Sequence, residues 1–271
     1  MSVLAPLSHA LAAVVAGAHA GLTSLGSDPD AGATWALSIA AVVVVVRTAL
    51  LPLVIHGVRS AHAAARARPA LRELGERFKG KRDPDSLRAH AEERRAIAAE
   101  HGMSRLGCLP MLLQMPVWIA LYHLLRDVAR GHAVGAMGAD LVASLGVATI
   151  AGVRLADHGY AGAGAEHLAV VAGLALTAAA LSFLTQRFLL AQNMVTADLP
   201  EAMLRAQRLM PMLSAGGMLL AGGFVPVALL VYWVANSAWT FGQSAVIWRW
   251  FPTPGSAAAD RHLLRRAPAQ R

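Results

Sequence analysis

The run WALSIAAVVVVVRTALLPLVI, from Trp35 to Ile55, constrains the fold more than any other feature of the chain. A helix rising about 1.5 Å per residue needs about 20 apolar residues to cross a ~30 Å hydrocarbon core, and this run supplies them. One residue breaks the pattern. Arg47 stands twelve residues after Trp35 and eight before Ile55, slightly past the middle. An arginine at that depth costs about 2.5–3.5 kcal/mol on insertion scales. Snorkelling from there has to cover roughly 12 Å, beyond the comfortable reach of the side chain. Such a residue needs a partner, water or a task.

The rest of the chain agrees with a membrane setting. Of 271 residues, 56% are hydrophobic and 15% are charged, more apolar surface than a soluble core of this length can hide. The single cysteine, Cys108, excludes an internal disulfide. Residues 1–32 carry no Lys or Arg, unlike the basic start of a signal peptide, and read as an extracytoplasmic amphipathic segment lying along the interface.

Apolar stretches separated by Gly, Pro and polar residues give five spans, at 33–56, 106–128, 167–190, 209–223 and 224–247. The fourth, closed off by Gly222, Gly223 and Pro226, reaches only about 22 Å and predicts local thinning of the bilayer. The stretch Leu141–Val153, within the outer loop 129–166, is too short and glycine-broken and reads as interfacial or re-entrant. With five spans, the segments 57–105, 191–208 and 248–271 share one side and carry most of the 24 basic residues. The positive-inside rule then places the amino terminus outside and the carboxy terminus in the cytoplasm.

Residues 57–105 form the most polar part of the chain and predict a cytoplasmic helical hairpin. Leu71, Leu74 and Phe78 fall on one face, GKRDP supplies the turn, Asp83 the N-cap, Pro84 the first helical position and Gly102 the stop. The apolar stripe is thin, which predicts a projecting arm.

No Asp or Glu lies within the inner two-thirds of any span, so Arg47 has no carboxylate to neutralise it at its own depth. Other polar side chains do lie there: Gln114, Gln186, Asn236, Thr240 and Gln243. Asn236, Thr240 and Gln243 are spaced four and three apart and share one helical face. Interhelical hydrogen bonds account for serines and threonines at such depths, at about 0.6–2 kcal/mol each. For Arg47, Gln114, Asn236 and Gln243 a hydrated groove between helices is the favoured reading. The chain carries no GxSxG, HExxH or phosphate-binding loop and no clustered metal ligands, so neither an enzyme nor a cofactor is expected.

Four stretches together resemble the YidC/Oxa-type family of membrane protein insertases. They are Arg47-Thr48-Ala49-Leu50-Leu51-Pro52-Leu53; GCLPMLLQMPVWIALYHLL at 107–125; Met210-Pro211; and FVPVALLVYWVANSAWTFGQ at 224–243. The chain has Pro226-Val227-Ala228-Leu229 where the family often has Pro-x-Gly-Leu. The resemblance implies an all-α integral membrane protein, a five-transmembrane-helix insertase core with a cytoplasmic helical hairpin. It implies a bacterial plasma-membrane location and a hydrophilic groove open to the cytoplasm and to lipid, in which Arg47 corresponds to the family's groove arginine. Gln186, Trp233 and Gln243 match groove positions of the family. Implied partners are nascent membrane proteins, the bilayer, the Sec translocon, the ribosome and the signal recognition particle machinery, with no sequence-specific nucleic acid binding. The short basic tail predicts weak ribosome binding. The competing reading is a small-anion secondary transporter or channel, with Arg47 as the anion site.

Overall fold

The computed structural model describes residues 5–103, 109–160, 164–196 and 200–266, without the side chains of 109–113 and 265–266. Gly107 and Cys108, which open the second motif, lie outside the described residues. Among the described residues the regular structure is helical apart from one two-stranded hairpin and two isolated bridges. The helices are α1 (Ala5–Ser24), α2 (Gly32–Ala49), α3 (Leu51–Arg77), α4 (Pro84–Glu100), α5 (Leu109–Ala129), α6 (Ala139–Val147), α7 (Ala165–Leu184), α8 (Glu201–Gly222), α9 (Val227–Trp250) and α10 (Ala257–Arg266). Strands β1 (Thr149–Ile150) and β2 (Val153–Arg154) pair antiparallel.

By length and composition, three segments among the described residues are apolar enough to cross a membrane: Ala5–Ser24, Gly32–Ala49 and Ala165–Asn193. The first apolar run is divided at Leu50, because Pro52 in the opening turn of α3 cannot donate to the helix before it. Leu141–Val153 is not a long helix. It resolves into the nine-residue α6 and the β1–β2 hairpin, and nine residues reach only about 14 Å. The short apolar stretch 209–223 lies on a longer helix, since α8 already starts at Glu201.

The core is concentrated at one end of the bundle. It uses Trp35, Ile39, Val42 and Val43 of α2, Leu121, Leu124, Leu125 and Val128 of α5, Val171, Ala175 and Ala178 of α7, and Val227–Trp233 of α9. Seven consecutive buried residues on α9 mean that its first two turns are surrounded. This is the end at which α9 begins.

Irregular backbone seals it. The first amides of a helix have no partner within the helix, and here Val227 N–H donates to Asp157 O at 2.9 Å and Ala228 N–H to Leu155 O at 2.9 Å. The loop after β2 therefore caps α9. Tyr160 Oη donates to Leu219 O, and its ring rests on Gly222 and Gly223. A Cβ at Gly222 would stand 2.8 Å from Tyr160 Oη, so glycine permits that approach. On the other flank, Trp35 Nε1 donates to Ser144 Oγ at 3.1 Å, joining α2 to α6. The buried stripe of α1, Ser8, Leu11, Ala12, Val15 and His19, lies over α2 and α5.

At the other end, α3 and α4 form the expected helical hairpin. Asp83 accepts from Ser86 N–H at 2.8 Å, and that bond holds its carboxyl below the ordinary carboxylate range. Arg77 pairs with Glu93 at 2.5 Å, Leu74 is buried, and Gly102 ends α4 with φ +67°.

Candidate functional site

α2 packs on α9, and the two helices meet differently along their length. Trp35, Ile39, Val42 and Val43 are buried against the core, whereas Val46, one turn further on the same face, is only half-buried. Arg47 lies just beyond that change, half-buried in the last turn of α2. Its Nε donates to Asn236 Oδ1 at 3.2 Å, and its Nη2 donates to the same oxygen at 2.7 Å and to Thr240 Oγ1 at 2.9 Å. Thr240 Oγ1 in turn donates to Asn236 O at 2.8 Å. The i, i+4 spacing of Asn236 and Thr240 thus places two oxygens against one guanidinium.

Both partners are neutral. Among the described residues, no carboxylate forms an ion pair with Arg47. Among the described residues, its charge is hydrogen-bonded but meets no opposite charge.

Two spaces flank this cluster. A cavity of about 10 Å³ is lined by Val42, Val43, Val46, Arg47, Gln114, Val117, Leu121, Tyr232 and Asn236, room for about one water molecule. A second, of about 710 Å³, lies between α3 and α9; Leu51, Val54, Ile55, Val58, Arg59, His62, Trp239, Gly242, Gln243, Val246, Ile247 and Phe251 line it.

The residues expected to share one hydrated groove are therefore divided. Arg47, Asn236 and Thr240 are in contact, and Gln114 joins them at the smaller space. Gln243 faces the larger one, where its Oε1 accepts from Trp239 Nε1 at 3.1 Å. It is seven residues beyond Asn236, roughly 10 Å along the helix, which separates the two. Gln186 turns toward another interface: its Nε2 donates to Ser182 Oγ at 3.0 Å, and that hydroxyl lies 3.3 Å from Ser214 Oγ of α8. The chain winds as a π-helix over Thr185–Leu190, and a one-residue change of pitch re-aims every side chain in it. Trp233 is packed in the core and lines neither space. Tyr232 and Trp239 were not singled out in the sequence, although each lies four residues before a polar member of the set, on the same face.

The family model for the 60Kd inner membrane protein matches residues 27–254. Similar proteins carry the name membrane protein insertase YidC. One from Streptomyces avermitilis is 32% identical over 249 residues, covering 87% of this chain and 56% of that protein. One from Tropheryma whipplei is 30% identical over 277 residues, 98% of this chain and 88% of the relative. A third, from Bifidobacterium longum, is 27% identical over 252 residues, 90% and 74% respectively. The chain thus spans little more than half the length of the Streptomyces relative. With an arginine-bearing apolar helix, an all-helical core and a family match across most of its length, this membrane protein belongs to the YidC/Oxa family.

Proposed function

We propose that the chain is a membrane protein insertase of the bacterial plasma membrane, moving segments of nascent membrane proteins from the cytoplasm into lipid. The observation that carries this reading is an arginine that, among the described residues, has no carboxylate partner and is held by Asn236 and Thr240 where close packing of the helices gives way. The names of the relatives favour the same activity.

The arrangement in the bilayer is the one given by the positive-inside rule: five spans, amino terminus outside, and the α3–α4 hairpin and basic tail in the cytoplasm. α1 lies along the outer interface. Both of its ends favour this, because His9 sits against Gly135 in the loop after α5 and His19 Nε2 lies 2.9 Å from Pro29 O, just before α2. Those two loops are on the outer side.

In the mechanism, the α3–α4 hairpin receives the nascent chain, and a short extracytoplasmic segment of the substrate enters beside α2 and α9 from the cytoplasmic end. Arg47 attracts its acidic residues, and Asn236, Thr240, Gln114 and Gln243 replace part of its lost hydration. The sealed outer end stops the path from becoming a pore. The apolar helix of the substrate then moves into lipid along α2, α7 and α9. Burial of apolar surface, at about 25 cal/mol per Å², and the membrane potential acting on acidic residues drive the step. The Sec translocon, the ribosome and the signal recognition particle machinery are the partners this activity would engage.

Purified protein in liposomes tests the reading against anion transport. Insertion of a small single-span substrate is expected without anion uptake, with loss on Arg47→Ala and retention on Arg47→Lys. Anion uptake without insertion would replace this reading with the transporter.

A further inference from the structure

The 710 Å³ cleft between α3 and α9 is not used by the mechanism above, except where Gln243 borders it. Its volume is within the roughly 300–1,000 Å³ range of sites that enclose a small ligand. The deep end is formed by Leu51 and Trp239, and the walls by aliphatic side chains, of which Ile55 and Val246 are nearly half exposed. Arg59 and His62 border the shallow end, and no acidic residue lines the cleft. Leu51 to His62 spans eleven residues, about 16 Å of helix.

The depth of the shallow end can be read from its neighbours. Trp248, Trp250 and Phe251 cluster at the end of α9, and aromatic residues of this kind mark the membrane–water interface. His62 Nε2 donates to Phe251 O at 3.2 Å, which fixes the rim of the cleft at that level. An apolar slot running inward from a cationic rim at headgroup depth has the charge and polarity pattern of one ligand class.

We propose that the α3–α9 cleft is a binding site for an anionic phospholipid of the cytoplasmic leaflet, with an acyl chain along Val54, Val58, Val246 and Ile247 and the phosphate at Arg59. The inference rests on the reading that α2–α3 and α9 span the bilayer. The arginine offers paired N–H donors in the geometry a phosphate accepts. Trp239 closes the inner end, so the lipid tail stops beside Gln243. Gly242 supports the idea that the space is kept open: a Cβ there would meet nothing within 4 Å, although glycine weakens the middle of a helix.

The test uses the full chain, purified and equilibrated with phosphatidylglycerol or with phosphatidylcholine of the same acyl chains, with bound lipid counted by native mass spectrometry. Phosphatidylglycerol is expected at about fivefold higher occupancy, the factor equivalent to about 1 kcal/mol for one interfacial arginine. Arg59→Gln brings it down to the phosphatidylcholine level. Gly242→Leu fills the cleft and removes both lipids while the thermal midpoint is kept or raised. Equal retention of the two lipids by the wild type, or phosphatidylglycerol unchanged in Gly242→Leu, overturns the proposal. So does a photocrosslinker at Val246 that captures a stalled nascent chain and no lipid. Insertion by the same preparations reports separately: lipid binding without insertion keeps this site and removes the insertase reading.

Discussion

The two halves of α9 make the most instructive contrast in the molecule. Residues 227–233 are all buried, capped by loop carbonyls and surrounded by α2, α5, α7 and the Tyr160 loop. From Val234 onward most positions are half-buried or exposed, and Asn236, Thr240 and Gln243 follow one another along one side. One helix therefore closes the bundle at its amino-terminal half and presents polar groups along its carboxy-terminal half. Lipid tails are as apolar as leucine, so burial alone does not hold the amino-terminal half together; close packing and satisfied backbone groups do. The carboxy-terminal half gives up that packing, and this is what leaves room for Arg47.

If that division is real, substitutions in the two halves separate stability from activity. Leu230→Ala, in the fully buried half, is expected to have the largest effect on stability, about 2–4 kcal/mol, with insertion per folded molecule unchanged. Thermal unfolding in detergent, paired with insertion normalised to folded protein, checks this. Gly222→Val comes next, at about 1–3 kcal/mol, because its Cβ would stand 2.8 Å from Tyr160 Oη and 3.0 Å from Ala175 Cβ. Tyr160→Phe should relieve only the first of those contacts, so the double variant is expected to regain part of the loss.

The smallest effect belongs to the hairpin, remote from both halves. Asp83→Ala removes the cap on α4, and faster hydrogen exchange at the Ser86 and Leu87 amides is its expected signature. The pH dependence has the same origin. The folded carboxyl titrates below its unfolded value, so the cap's contribution is complete above the unfolded value and is lost as pH falls through the folded one. Protection of those amides in the wild type, taken against the intrinsic exchange rate at each pH, should therefore fall only in acid.

Much of this arrangement was legible in the sequence where it depended on local periodicity. Arg47 was conspicuous because an apolar run surrounded it, and the spacing of Asn236 and Thr240 was enough to place both on one face. Asp83-Pro84 and Gly102 marked the ends of α4 through their own backbone chemistry. What was not legible depends on contacts between distant segments. The loop that caps α9 does so through the carbonyls of Leu155 and Asp157, which any residue supplies equally well. Tyr160 gave no signal until Gly222 and Gly223 were seen beneath it. Gln186 was misplaced because nothing in TQRFLL announces a π-helix. Gln243 shared a face with Asn236 but not a cavity, since periodicity gives direction and not the depth at which neighbouring helices part.

The central claim is that the charge of Arg47 is left uncompensated for a substrate, and Asn236→Asp tests it most directly. The substitution keeps the shape of the side chain and puts a carboxylate 2.7 Å from Arg47 Nη2, where the amide oxygen now stands. Insertion of a single-span substrate with an acidic outer segment, measured in liposomes, is predicted to fall at least fivefold while the thermal midpoint is kept or raised. Full insertion of that substrate by a folded Asn236→Asp protein would contradict the account.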